Sequence, residues 1–76
     1  MNPPLPVISG NELIRVLAKF GYEAVRQKGS HLRLRHPTDS RKLSVTVSLH
    51  DEIAFGTLRR ILRDAGKSVE QLIASL

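Results

Sequence analysis

Cysteine is absent from the 76 residues, which excludes a disulfide framework and a thiolate zinc site. At this length a single core is near the smallest that holds a fold without such staples, so residues 1–76 read as one domain resting on apolar packing. No apolar run approaches the roughly 18–20 residues of a membrane span. Residues 1–6 lack the charged and apolar regions of a signal peptide. The expectation is a soluble, cytoplasmic chain with no membrane partner. The sequence contains no internal repeat and no low-complexity tract. Its three histidines show no helical H-E-x-x-H spacing, so neither a metal nor another cofactor is expected.

Acidic residues are scarce in one place. Between residues 26 and 42 Asp39 is the single acid against six basic residues (Arg26, Lys28, Arg33, Arg35, Arg41 and Lys42), whereas the rest of the chain has equal numbers of both signs. The net charge of +5 is therefore local. Charge of this kind serves either as a footprint for a polyanion or as a solvated, solubilising face.

The apolar pattern divides the chain into elements. Residues 1–8 are proline-rich and aperiodic, an extended arm. Ser9 and Glu12 form a capping-box signature. Leu13, Val16, Leu17 and Phe20 then repeat at helical spacing, which predicts a helix over residues 10–20 ending at Gly21. Residues 22–28 alternate imperfectly toward Gly29-Ser30, a two-residue turn of the Gly-X type that suits a type II′ hairpin. This turn sets Lys28 opposite His31, Arg26 opposite Arg33 and Val25 opposite Leu34.

A longer polar turn, Pro37-Thr38-Asp39-Ser40, leads to residues 43–50, where Leu43, Val45, Val47 and Leu49 alternate with Ser44, Thr46, Ser48 and His50. The first set belongs under the sheet with Leu32 and Leu34. The second belongs on an open face with His31, Arg33 and Arg35. A helix opening at Gly56-Thr57 carries Leu58, Ile61, Leu62 and Ala65 inward and Arg59, Arg60 and Arg63 outward, and ends at Gly66. A second capping box, Ser68 with Gln71, starts a short last helix with Val69, Leu72, Ile73 and Leu76 inward. The fold class expected is α+β: a three-stranded antiparallel sheet with helices on one face, in the order α-β-β-β-α-α.

Three stretches resemble the HicA (YcfA-like) toxin family. They are Leu5-Pro6-Val7-Ile8-Ser9-Gly10 with the helix after it, residues 21–31 ending in Gln27-Lys28-Gly29-Ser30-His31, and His50 followed by Gly56-Thr57-Leu58-Arg59-Arg60-Ile61-Leu62-Arg63-Asp64-Ala65-Gly66. Ser48 stands where that family commonly has proline, and Ala54-Phe55 is more apolar than the usual lead into Gly-Thr-Leu. The resemblance implies a fold similar to the double-stranded RNA-binding domain. It implies a toxin that cleaves messenger RNA, with His31 as the catalytic residue, and a HicB-like antitoxin protein that masks the active face.

The residues are compatible with that chemistry. An imidazole, with a reference pKa of about 6.5, is suited to take a proton from an RNA 2′-hydroxyl near neutral pH without a metal. Lys28 and Arg33 are placed to steady the phosphate, with Arg26, Gly29 and Arg35 completing an RNA-binding face. His50 and Ser30 are candidates for the leaving-group acid or for support of the imidazole. Residue by residue, the plain alternatives remain open: His31 as an ordinary exposed strand residue, Gly29 as a turn requirement only, and the arginines of the second long helix as a solvated face. For His36 and Tyr22 the structural role is preferred. A non-catalytic RNA-binding module using the same basic face is the alternative to a nuclease, and a protein-interaction domain docking on an acidic partner is a third.

Overall fold

The computed structural model describes residues 4–76. Its elements are α1 (Gly10–Lys19), β1 (Glu23–Lys28), β2 (His31–Arg35), β3 (Val45–Ser48), α2 (Phe55–Ala65) and α3 (Val69–Ser75). The strands form one antiparallel sheet in the order β1-β2-β3, so the fold is α+β in the expected order. Among the described residues no helix is long and apolar enough to cross a membrane.

Both capping boxes are formed. The Ser9 hydroxyl accepts from the Glu12 amide and the Glu12 carboxylate accepts from the Ser9 amide; these bonds hold the Glu12 carboxyl below the usual carboxylate range. Ser68 and Gln71 repeat the arrangement at α3. Gly66, at φ +67°, ends α2 in the left-handed conformation that glycine adopts without penalty.

The core lies between the helices and β2–β3. Leu13 and Leu17 of α1, Leu34, Val45 and Val47 of the sheet, and Leu58 and Leu62 of α2 are all buried there, and Leu72 is the buried residue of α3. Ile8 also joins this core: its carbonyl accepts from the Ile53 amide at 2.9 Å, and Ser9 bridges to Glu52. The segment expected as an arm is therefore tied down at its inner end, while its first three residues lie outside the described residues.

Five expected placements are corrected. Val25 does not pair with Leu34; the register shifts there, Ala24 takes that place, and Val25 is 49% exposed. All of β1 is exposed, so Val25 has no core to enter, and a bulge on such an edge adds twist. Leu43 is exposed rather than buried. Its backbone is committed, donating to Asp64 O and accepting from the Tyr22 hydroxyl, so regular pairing begins only at Val45. Ile73 and Leu76 are exposed because the seven-residue α3 inserts Leu72 alone, with Val69 half-buried beside it. His50 lies beyond the end of β3 rather than within an eight-residue strand.

Tyr22 is a packing residue. It is 3% exposed, its hydroxyl donates to Leu43 O at 2.6 Å, and it meets His36 edge-on at 5.5 Å. Burial, assisted by the charges of Asp64 and Asp39, raises its pKa. The folded state thus holds this proton more tightly than the unfolded chain does. The resulting stability is complete below the ordinary tyrosine pKa of about 10 and is lost as pH rises through the raised folded value. Tyr22→Phe is expected to lose about 1 kcal/mol at neutral pH. Denaturation midpoints measured on both proteins should converge in alkali, because the variant lacks the group that titrates.

Candidate active site

The site is built on the two-residue turn between β1 and β2. Gly29 has φ +59°, and Ser30 is not among the residues with positive φ, the combination that a Gly-X hairpin turn requires. The Gln27 side chain donates to Gly29 O at 3.1 Å and steadies the turn. This fixes the pairs Lys28 with His31 and Arg26 with Arg33, as the turn chemistry predicts.

On the other side of β2, His31 pairs with Ser48 and Arg33 with Thr46. Since His31 uses its backbone toward Lys28 across a two-residue turn, its pair with Ser48 is of the non-hydrogen-bonded type. The bond from Leu49 N to Ser30 O, 2.7 Å, agrees with that phase. Such pairs bring side chains closest, with Cβ atoms about 4.5–5.5 Å apart. His31 is thus an exposed imidazole with Lys28 on one flank and Ser48 on the other.

Sequence reasoning placed Ser48 on the open face and noted it as a departure from a family pattern, but gave it no partner. The structure gives it a partner: its hydroxyl donates to Asp51 Oδ2 at 2.9 Å. The serine is therefore held, with its oxygen lone pairs still free to accept. Its neighbour Asp51 also accepts, through its backbone carbonyl, from the Gly10 amide at 2.9 Å. The sheet end, the loop after β3 and the start of α1 meet at this point.

The basic residues have an unusual arrangement. Arg26 and Arg33 stand directly opposite each other, a like-charge pairing that costs the sheet some stability. Among the described residues the ion pairs are Arg41 with Asp39 and Arg63 with Asp64. Arg26, Lys28, Arg33 and Arg35 thus have no carboxylate at ion-pair distance, although Glu23 is the backbone partner of Arg35. Arg33 is oriented instead by the Thr46 hydroxyl, 3.1 Å from Nη1. An anion lying along β2 would relieve the repulsion.

The other histidines are placed differently. His36 is half-buried, and its Nδ1 accepts from the Asp39 amide at 3.1 Å. That bond leaves the ring proton on Nε2 in the neutral form, and the residue belongs to the framework beneath Gly21. His50 is exposed and follows Leu49, so Ser48 rather than His50 stands opposite His31. Among the described residues no three His, Cys, Asp or Glu side chains come together as a metal ligand set.

A family model described as HicA toxin of bacterial toxin-antitoxin matches residues 10–67, from the first residue of α1 to just past α2. No curated protein matches the chain.

Proposed function

The chain belongs to the HicA toxin family, and from that premise we propose that it is a metal-independent endoribonuclease that cleaves messenger RNA in the cytoplasm. The observation that carries this reading is the exposed His31 imidazole amid four basic side chains that, among the described residues, have no carboxylate at ion-pair distance. Neutral His31 takes the proton of a ribose 2′-hydroxyl, and the freed oxygen attacks the adjacent phosphorus. The bond from phosphorus to the 5′-oxygen breaks, leaving a cyclic phosphate on one product and a hydroxyl on the other. Lys28 and Arg33 stabilise the charge that accumulates on the phosphoryl oxygens. Arg26 and Arg35 bind the neighbouring backbone, and Gly29 lets it approach the turn closely. His50 is the candidate for delivering a proton to the leaving oxygen or for support, and Ser30, whose carbonyl accepts from the amide of Leu49 beside His50, is a candidate for support of the imidazole.

The partner of this reading is a HicB-like antitoxin that covers the same face, where carboxylates would meet the unpaired cations. The test is incubation of the purified protein with a defined RNA in EDTA. Cleavage is expected, with 2′,3′-cyclic phosphate ends. Binding without cleavage would convert the reading to a non-catalytic RNA-binding module. Growth arrest on expression, relieved by one neighbouring reading frame, would identify the antitoxin.

A further inference from the structure

Beyond Arg33 the exposed face of the sheet does not end at β3. It continues into a cavity of about 200 Å³ between β3 and α2, lined by Arg33, Ser44, Thr46, Arg60 and Asp64 with Val45 and Ile61. The last two are buried, so the chemistry of the cavity is that of two guanidinium groups, two hydroxyls and one carboxylate.

These groups come from β2, the β3 segment and α2, and the one side-chain hydrogen bond among them joins Arg33 to Thr46. Arg60 is exposed and, among the described residues, has no carboxylate at ion-pair distance. Asp64, which lines the same cavity, lies 3.8 Å from Arg63 instead. Arg33 is held by Thr46 through Nη1, which leaves its remaining donors available. Two arginines directed into one polar cavity, one of them already oriented, suit bidentate recognition of a phosphodiester. The carboxylate on the same wall disfavours a doubly charged terminal phosphate but can accept from a ribose hydroxyl, the group that separates RNA from DNA.

Position adds to this. Arg33 is two residues along β2 from His31, about 6.6–6.8 Å on the same face, a step comparable to one nucleotide of an extended strand. We infer that this cavity is a nucleotide subsite, in which Arg60, together with those donors of Arg33 not turned to the scissile phosphate, holds the phosphodiester next to the one cleaved at His31. The inference rests on the nuclease reading for the identity of the polymer but not for the binding itself. Arg59 and Arg63 line a different cavity, between α2 and the start of α3, which makes Arg59 an internal control of equal charge.

The experiment measures the affinity of a labelled single-stranded RNA for His31→Ala protein by fluorescence anisotropy over a series of salt concentrations. Adding Arg60→Ala is expected to weaken binding about tenfold, the loss of a charge-assisted hydrogen-bonding partner. It should also reduce the salt slope by about 0.7, one phosphate contact on a single strand. Adding Arg59→Ala instead should change affinity less than about twofold. Equal affinity with and without Arg60, or an equal loss from Arg59→Ala, would overturn the subsite. If RNA binds through Arg60 but the protein with His31 intact does not cleave, the subsite stands and the nuclease reading fails. Cleavage that is indifferent to Arg60 does the reverse, and no RNA binding at all removes both.

Discussion

His31→Ala is expected to lower RNA cleavage by about 10²- to 10⁴-fold, the contribution of a positioned general base, while RNA affinity changes by less than about threefold, since phosphate contacts carry most of the binding. The separation follows from geometry. His31 opens β2 on the exposed face, and the four cations that would hold the polymer, Arg26, Lys28, Arg33 and Arg35, all remain in the variant. Removing an exposed side chain beside a turn leaves the core intact, so a lost rate is not a lost fold. Single-turnover cleavage and anisotropy on the same preparations read the two quantities independently. A parallel fall in both would make His31 a binding residue. His50→Ala is expected to cost less than about tenfold, because Ser48 rather than His50 stands opposite the imidazole. Equal losses from the two substitutions would make His50 the leaving-group acid of a two-histidine mechanism.

The sequence announces some of this arrangement and conceals the rest, for physical reasons that differ by element. Helix ends are local: Ser9 with Glu12 and Ser68 with Gln71 satisfy amides within four residues of themselves, so their geometry can be read from spacing. The pairing of Lys28 with His31 is also local, because a two-residue turn permits one register. The register between β2 and β3 is different. A nine-residue connection, residues 36–44, imposes none, and it was settled by the need to bury Leu34 with Val45 and Leu32 with Val47. That choice brings Ser48 opposite His31, and no spacing rule could have announced it. The bulge at Val25 is concealed for another reason: alternation assumes a covered face, and β1 has none.

Gly10→Ala is expected to destabilise the protein by about 2–4 kcal/mol, a fall in melting temperature on the order of 10–25 °C for a chain of this size. On sequence alone the substitution should help, since alanine is favoured over glycine inside a helix by about 1 kcal/mol. Tertiary structure reverses the sign. A Cβ at Gly10 would overlap the Ser48 carbonyl oxygen and lie 2.7 Å from its carbon, and both are backbone atoms that cannot swing aside. Either α1 moves, losing the bond from Gly10 N to Asp51 O, or the end of β3 moves. In the second case Ser48 leaves its place opposite His31 and its bond to Asp51 is strained. Cleavage below the melting transition should therefore fall as well, with no catalytic side chain altered. Gly56→Ala is the matched control. It lies in α2 at negative φ, with nothing within 4 Å of the added atom, and should be neutral or stabilising by up to about 1 kcal/mol. Thermal denaturation of the two variants side by side decides the matter. Equal melting temperatures would mean that α1 does not press on the Ser48 backbone, and the coupling between helix start and active site would be lost with it.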